Sequence, residues 1–420
     1  MSWRVDAVDG RVSVRPGADG ARASGATGAR RFSAPCVWDS GVLDGYERLN
    51  ERYGDRARVV EVYGSHASSR FGSGRAAMIL PRVGDAAVFR WIRAARRRGF
   101  SFSYLLNAAC LGGDEGTYSG QRELRALLGR LADAGADRVT VTSPLVMEFA
   151  RACEPGLKVG ASVICYVDSV RKLEFFASLG VDRVTLDIDV TRNFPLLRAL
   201  RASTGLELGL IVNSLCLLGC PLKAHHYNLN AHFSRPREPG LDAGSALSHV
   251  GARCMIQNHE DKVRALMSAW IRPEDLDLYT QTGIDHFKIQ GRGARPENLL
   301  KTVETYLRGE SPAGAVPLTA FAGGRTGFRV KARAMTGFLD HFLHTPYRCQ
   351  EGCGPCRYCH DWAERVVTEE EEGDVARQVV ASARTMAAAA VDYQARIDAL
   401  AAGVATKLQS RRASVRARTG

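Results

Sequence analysis

The hydrophobic and polar positions of the chain follow a repeating pattern from about residue 55 to residue 310. Short apolar runs alternate with longer segments in which apolar residues recur at helical spacing. This alternation is typical of parallel α/β architecture, in which each strand is buried on both faces and is followed by an amphipathic helix. The pattern predicts strands over 59–64, 100–107, 138–142, 158–166, 183–187, 206–213, 268–272 and 285–290.

Three of the predicted helix-to-strand junctions resemble one another. Those that begin at Ala134, Leu179 and Thr282 each have a Gly that ends a helix, then an Asp and a buried strand. Repeated units of this kind favour a closed (β/α)8 barrel of the TIM type. An open doubly wound sheet is the alternative, but segment 65–75 lacks the G-x-G-x-x-G turn that is common in such sheets.

The two ends of the chain differ in composition from this region. Residues 1–30 are rich in Gly, Ala, Arg and Ser, which predicts a disordered leader. The barrel is then expected over 31–310, a cysteine-rich segment over 311–362, a helical extension over 363–402 and a basic disordered tail over 403–420. Much of the net charge of +12 lies in that tail, on Lys407, Arg411, Arg412, Arg416 and Arg418, so the body is only mildly basic.

Composition also bears on the compartment. No run approaches the roughly 18 consecutive apolar residues of a membrane-spanning helix, and the first residues lack the order of a signal peptide. We therefore expect a cytoplasmic protein without a membrane partner. The 11 cysteines are odd in number and closely spaced, which in a reducing compartment favours metal ligation over disulfides.

One group of cysteines lies beyond the sixth predicted strand. Cys216 and Cys220 are followed by Cys254 in the same long insertion, and thiolates so placed at a barrel mouth can bind one metal ion or cluster. Cys36 is the first candidate for a fourth ligand, with a carboxyl-terminal cysteine as the alternative. The competing interpretation is three unrelated buried cysteines.

The second group is the most specific motif in the chain. Its four members, Cys349, Cys353, Cys356 and Cys359, lie in a compact run. Such a run resembles the ferredoxin-type wrap around a [4Fe–4S] cluster, whereas zinc sites usually join two separated knuckles. A [4Fe–4S] cluster is expected here, with zinc as the alternative and His360 as a substitute ligand. The first three also have the C-x3-C-x2-C spacing of radical S-adenosylmethionine enzymes, which carry it after the first barrel strand instead.

Charged residues after the predicted strands are the candidate catalytic and binding groups. Arg272 and Arg292 follow the seventh and eighth predicted strands, where barrels commonly bind anions; salt bridges at the rim are the alternative. Asp187 is a candidate acid or base, or else a helix cap, and His226 lies in the same insertion as Cys216. Residues assigned to cofactor binding are Arg70, Arg75 and Lys288.

Several of these segments together resemble the U32 "collagenase-like peptidase" family. They are 61–64 (EVYG), 71–75 (FGSGR), the cysteine pair after the sixth strand, 271–276 (IRPEDL) and 283–292 (GIDHFKIQGR). The likeness covers about residues 55–310 and implies a TIM barrel with a four-cysteine [4Fe–4S] cluster in its mouth. It also implies oxygen-independent hydroxylation, with prephenate as a co-substrate in some relatives and a protein partner in others.

The expected function is therefore an iron–sulfur enzyme, with one or two clusters, that modifies a small molecule, a peptide or an RNA base. It is expected to act as a homodimer or with a protein partner. A zinc-stabilised RNA-binding protein that uses the basic tail is one alternative. A U32-type peptidase is another, although the chain lacks H-E-x-x-H and G-x-S-x-G motifs.

Overall fold

A computed structural model of the chain describes residues 3–8, 11–16, 29–67, 69–235, 244–284, 286–317, 327–344, 349, 353, 355–369 and 373–392. The predicted basic tail, 403–420, lies outside the described residues. Within the leader, strands β1 (Trp3–Val8) and β2 (Arg11–Pro16) pair antiparallel. The leader is thus not wholly without regular structure, because both segments alternate apolar and polar residues in the period of a strand.

Eight parallel strands form a closed barrel, as the hydrophobic pattern predicts. The order around the barrel is β10-β3-β4-β5-β6-β7-β8-β9. The strands are β3 (Arg30–Pro35), β4 (Ala57–Gly64), β5 (Ser101–Leu106), β6 (Arg138–Val141), β7 (Lys158–Ala161), β8 (Arg183–Thr185), β9 (Glu207–Ile211) and β10 (His286–Lys288).

Two strand predictions are wrong, and they compensate for each other. The first barrel strand is β3, which the pattern missed because it opens with two arginines and has Ser33 in its centre. Segment 268–272 is not a barrel strand: Ser268 forms a single antiparallel bridge with Leu217, and the Ile271 N–H donates to the Val212 carbonyl at 2.7 Å. It is apolar because it lies buried against the end of β9, not because it belongs to the sheet.

Amphipathic helices surround the barrel and cover the outer face of its strands. Those up to the end of the barrel are α1 (Ser40–Tyr53), α2 (Asp85–Arg97), α3 (Tyr118–Asp133), α4 (Pro144–Cys153), α5 (Val170–Ser178), α6 (Phe194–Ala202), α7 (Lys223–Phe233), α8 (Gly244–Glu260), α9 (Arg264–Met267), α10 (Leu276–Thr280) and α11 (Pro296–Arg308). Thr117, Ser169 and Asn193 cap α3, α5 and α6 by accepting a backbone N–H.

The two faces of the barrel wall have opposite character. Phe32, Phe102 and Phe287 are fully buried in the hydrophobic core, and each such ring stabilises the fold by about 1.5–3 kcal/mol. Buried polar residues alternate with these positions along the strands and interact with one another; they include Ser33, Glu61, Arg138, Arg183, Glu207 and His286. The sequence pattern showed the apolar positions but not that the alternating polar ones converge.

The carboxyl-terminal part packs beside the barrel. Strands β11 (Val316–Pro317), β12 (Phe328–Val330) and β13 (Val367–Glu369) form an antiparallel sheet. The helices are α12 (Asp340–His344), α13 (Tyr358–Val366) and α14 (Gly373–Val391), and α14 packs on α8. None of the helices in the described ranges has the length and apolar character needed to cross a membrane.

Candidate functional site

The carboxyl ends of the barrel strands carry a connected set of polar side chains. The Gln290 N–H donates to Asn213 Oδ1 at 2.7 Å, and Asn213 Nδ2 donates to the Gln290 carbonyl at 3.0 Å. Arg75 Nη2 then donates to Gln290 Oε1 at 3.0 Å. These bonds fix the Arg75 guanidinium at the end of the barrel where active sites of this fold form.

Arg292 is the second cation of this mouth. Its Nη1 donates to Ser65 Oγ at 2.7 Å and to Ser73 Oγ at 3.3 Å. Burial lowers the pKa of Arg292 to about 10, and the charge of Arg75 acts in the same direction, while Tyr63 opposes both. Arg292 therefore stays charged at neutral pH. Within the described part of the chain, neither Arg75 nor Arg292 has a carboxylate partner, which leaves the mouth complementary to an anion.

A tight turn holds Arg75 in place. Gly72 has φ of 57°, a conformation that favours glycine. The Gly74 N–H donates to Asn107 Oδ1 at 3.1 Å, and a Cβ at Gly74 would lie 2.5 Å from Ile164 Cδ1. The glycines of segment 71–75 are therefore needed for the turn to enter the mouth.

Lys288 lies at the end of β10, deeper in the barrel. Its Nζ is 4.1 Å from the centroid of the Tyr63 ring, and the Tyr63 hydroxyl donates to the Ile289 carbonyl at 2.6 Å. Burial lowers the pKa of Lys288 to about 7; Glu61 opposes this shift, and three arginines, Arg183, Arg292 and Arg138, add to it. At neutral pH a large fraction of this amine is thus uncharged.

Three thiols lie near one another beside the mouth. Cys216 follows β9, Cys220 lies on the turn before α7 and Cys254 lies in α8. Burial raises the pKa of Cys254 to about 11, and the neighbouring Cys216 and Cys220 raise it further. Arg75 acts on Cys216 in turn, so this thiol trio and the anion-binding mouth are adjacent.

The three sulfurs of the thiol trio are near one another but do not have the arrangement of a metal site in the described residues. Over the ranges that the structure describes, no three His, Cys, Asp or Glu side chains have the mutual arrangement of a metal site. Cys254 instead accepts a hydrogen bond from Asn258 Nδ2 at 3.6 Å. The donor chemistry suits a thiophilic metal or an iron–sulfur cluster, and its binding would draw the sulfurs together.

Asp187 and His226 are both near this site. The Nζ of Lys223 lies 2.8 Å from each Asp187 carboxylate oxygen and also contacts Asp189. Burial raises the pKa of Asp187, which Lys223 opposes. Burial and Arg75 both lower the pKa of His226, so its imidazole is neutral at pH 7. Asp187 also caps a short turn by accepting the Asp189 N–H, so its predicted capping and site roles are compatible.

The chain is similar to known proteins over its barrel. The sequence profile described as peptidase family U32 matches residues 86–218. A protein named as an uncharacterized protease of Methanocaldococcus jannaschii is 27% identical over 297 residues, which are 70% of this chain and 85% of the relative. The chain is thus similar to peptidase family U32 over part of its length.

Solved structures with similar folds include the U32 peptidase Mk0906, which is 20% identical with a TM-score of 0.44, over 66% of this chain and 96% of that one. A chitinase from Rhizomucor miehei is 12% identical with a TM-score of 0.34, over 66% of this chain and 98% of that one.

Cys36 does not join the thiol trio, contrary to prediction. It follows β3 and is buried in the barrel wall, where a Cβ on Gly64 would lie 2.1 Å from its Sγ. Burial raises its pKa, and the charged neighbour that opposes this shift is Arg292. The prediction failed because Cys36 was placed before the first strand, whereas it directly follows β3, the first barrel strand, and packs against β4.

The carboxyl-terminal cysteines also lie near one another. Burial raises the pKa of Cys349 to about 11, and Cys359, Cys353 and Cys356 raise it further. Cys359 lies in α13, while Cys353 and Cys356 are exposed. The four thiols are therefore neighbours in the described part of the chain, and their role as ligands stays a prediction.

Arg192 links this second group to the barrel. Its Nη2 donates to the carbonyls of Leu266 and Ser268, the latter at 3.0 Å. The guanidinium carbon lies 5.0 Å from the centroid of the Phe338 ring, and the Arg192 charge opposes the rise in the pKa of Cys349 and Cys359. Segment 266–269 in turn pairs with the backbone at Cys216 and Leu218, so Arg192 lies between the two thiol groups.

Two predicted site arginines have structural roles instead. Arg272 is buried; its Nε donates to Asp275 Oδ2 at 2.7 Å and its Nη1 to the Ala332 carbonyl at 2.8 Å. Its assignment failed because segment 268–272 is not a barrel strand. Arg70 Nε and Nη2 each donate to Asp114 at 2.7 Å, and its Nη1 contacts Glu123 at 2.5 Å. Neither guanidinium is free for an anion.

Sequence reasoning missed several site residues. Tyr63, Asn213, Gln290 and Lys223 were not singled out. The positions of Asn213 and Gln290 directly after strands were a usable signal, since residues at strand ends form the mouth. No pattern in the sequence marked Lys223 as the partner of Asp187.

Proposed function

We propose that this protein is an iron–sulfur enzyme that carries out an oxygen-independent modification, a hydroxylation, in the barrel mouth. The observation behind the proposal is that Cys216 and Cys220 both act electrostatically on Cys254, and that Arg75 acts on Cys216, so these groups lie near one another. The three thiols come from different elements and lie at the end of the barrel where active sites form. A metal or cluster bound by all three explains this arrangement better than packing does. Such a cluster requires a reducing environment, which is consistent with a cytoplasmic location.

The thiol trio supplies three ligands. This number fits a cluster that keeps one position for substrate, or one whose fourth ligand comes from a residue other than Cys36. When bound, a [4Fe–4S] cluster supplies one-electron chemistry and a Lewis-acidic iron. Asn258, which donates to Cys254, is positioned to hydrogen-bond a cluster thiolate and so to tune it.

The arginines of the mouth bind the anionic part of the substrate or co-substrate. Arg75 and Arg292 are charged, oriented by Gln290, Ser65 and Ser73, and without a carboxylate partner in the described residues. Two guanidinium groups of this kind suit a carboxylate or a phosphate. A dicarboxylate such as prephenate, the co-substrate that the family resemblance implies, would satisfy both.

His226 moves a proton at this site. Its neutral imidazole can accept a proton from a substrate hydroxyl or water, because burial and Arg75 disfavour the charged form before substrate binds. Lys223 and Asp187 position it: their ion pair joins the start of α7, which carries His226, to the turn after β8. Binding of an anion beside Arg75 would reduce the repulsion and make the imidazole more basic.

The carboxyl-terminal group, Cys349, Cys353, Cys356 and Cys359, is proposed as a second metal site. We favour a [4Fe–4S] cluster there because the compact run resembles a ferredoxin-type wrap, with zinc as the alternative. Its link to the barrel through Arg192 suits a role in holding the carboxyl-terminal part against the mouth, or in electron transfer to it.

Anaerobic quantitation of iron, sulfide and zinc tests both sites. The full chain is purified as the wild type, as C216A/C220A, as C349A/C353A and as a C153A control. We expect iron and sulfide in the wild type and in the control. Each double variant should lose the iron and sulfide that belong to one site. Zinc without iron or sulfide in the wild type would contradict the proposal.

A U32-type peptidase is the second candidate, favoured by the name of the archaeal relative. Burial raises the pKa of Cys216 and lowers that of His226, whereas a cysteine nucleophile is usually paired as thiolate and imidazolium. Peptide cleavage by the wild type that is lost in both C216A and H226A would favour the peptidase over the hydroxylase. Peptide cleavage that survives in both variants would exclude Cys216 and His226 as a catalytic dyad.

A further inference from the structure

Lys288 is a charged residue type in the barrel interior whose amine lacks a polar partner in the described residues. The lysine lies deep in the barrel, yet its side chain keeps an intermediate exposure. In the part of the chain that the structure describes, its amine has no hydrogen-bond or ion-pair partner and lies over the face of the Tyr63 ring. Buried Lys residues are normally paired, so an amine inside the barrel that has no such partner among the described residues needs a reason.

The charges around Lys288 favour a neutral amine. Glu61 of β4 is the one acid among the charged groups that act on it, and its carboxylate is already bound by Ser33 and Arg183. The bases are Arg138 of β6, Arg183 of β8 and Arg292 after β10. With the pKa of Lys288 lowered to about 7, the amine is available as a nucleophile under physiological conditions.

We propose that the Lys288 amine forms a Schiff base with a 2-oxo acid whose carboxylate is bound by Arg292. The Nζ lone pair adds to the carbonyl carbon, the carbonyl oxygen leaves as water with both amine hydrogens, and a C=N bond replaces the C=O bond. No oxidant or reductant is consumed. The proposal rests on the anion-binding role of Arg292 given above, but it does not depend on any metal.

The choice of a 2-oxo acid follows from the two groups together. Arg292 has no carboxylate partner among the described residues, and it acts electrostatically on both Lys288 and Tyr63. A ligand that places a carboxylate at the mouth and a carbonyl deeper in the barrel would meet the guanidinium first and the amine second. Tyr63 would cover one face of the carbonyl, since its ring lies against Nζ.

Reductive trapping tests the proposal. The full chain is incubated with pyruvate and cyanoborohydride, which reduces an imine to a stable secondary amine, and the modified residue is found by peptide mass spectrometry. The chain has 8 lysines, so assignment is direct. We expect one adduct, at Lys288, that forms faster as pH rises through about 7, and none with lactate, which lacks the carbonyl.

Variants separate the covalent role from a structural one. K288M should abolish the adduct. K288R, whose guanidinium cannot form the imine, should also abolish the adduct. K301M, on an exposed face of α11, should leave the adduct unchanged. Circular dichroism establishes that each variant is folded. Adducts spread over exposed lysines, or none on the folded wild type, would overturn the proposal. Iron content is measured on the same samples. An adduct at Lys288 in protein without iron would contradict the proposed cluster but support the Schiff base.

Discussion

Glu61 and Arg183 meet across the barrel interior, with Oε1 and Nη1 2.7 Å apart. β4 and β8 are four strands apart in the closed barrel of eight, so this ion pair joins opposite walls. Burial alone would raise the pKa of Glu61, but Arg183, His286 and Arg138 outweigh it and hold the pKa at about 2. The barrel is therefore cross-linked by charge beneath its mouth.

Removal of the Glu61 carboxylate should destabilise the fold strongly. E61A removes one of the two carboxylates that pair with the buried Arg183 and Arg138 and leaves both arginines to Glu207 alone, for which we expect a loss of about 3–5 kcal/mol in the free energy of unfolding. Urea denaturation of the folded chain measures it. E310Q, which removes the exposed partner of Arg333, is the matched control and should cost at most about 1 kcal/mol. Equal losses in the two variants would contradict the cross-link.

The same carboxylate predicts a pH dependence. The folded-state pKa of about 2 lies below the ordinary value of 4.5, so the contribution of Glu61 is fully present above pH 4.5 and is lost as pH falls towards 2. The difference in unfolding free energy between the wild type and E61Q should shrink over that window. A difference that stays constant from pH 6 to pH 3 would show that the charge of Glu61 is not what stabilises the barrel.

Arg292 and Arg272 should respond differently to the same substitution. R292M removes a charge-assisted bond to the bound anion, worth about 1.5–3 kcal/mol, so the Kd for prephenate should rise about 10- to 150-fold. R272M should instead lower the melting temperature, because Asp275 and the Ala332 carbonyl lose their buried donor. Calorimetric titration and thermal unfolding of both variants decide the assignment; unchanged affinity in R292M would exclude it from the anion site.

Arg192 should control the attachment of the carboxyl-terminal part. R192M removes the donor to Leu266 and Ser268 and the cation over Phe338, so we expect faster proteolysis after residue 317 and loss of metal from the Cys349 group. R365M removes the exposed cation over Trp362 and serves as the control. If both variants resist protease like the wild type, Arg192 is not the link.

The basic tail tests the RNA-binding alternative. Deletion of residues 403–420 removes five positive charges and no acid. The enzyme hypothesis predicts unchanged iron content and unchanged turnover of a small substrate. A loss of RNA affinity, with the wild type showing a steep dependence on salt, would favour the RNA-binding protein.

The sequence was informative where chemistry and periodicity agree. The barrel followed from apolar runs at strand spacing, whereas the two thiol groups, chosen for their positions after a strand and in a compact run, stay predictions as metal sites. Segment 268–272 was wrongly predicted as a strand, because apolar residues buried beside a sheet have the same sequence pattern as residues within the sheet. That error misassigned Arg272, since a site role was inferred from a strand end that does not exist.

Other features depend on distances that no local pattern contains. Glu61, Arg183 and His286 are far apart in sequence and meet only because the barrel closes. Cys36 was given a ligand role because thiols look alike in a sequence, whereas its burial against Gly64 depends on the register of β3 and β4.

The most direct test of the central claim concerns Cys254, which only the fold brings beside Cys216 and Cys220. C254S and the control C153S are purified without oxygen, and iron and sulfide per chain are measured with the electron paramagnetic resonance spectrum after reduction. The account predicts that C254S loses the iron, sulfide and signal of one cluster while C153S keeps them. Iron and sulfide equal to the wild type in C254S would contradict it.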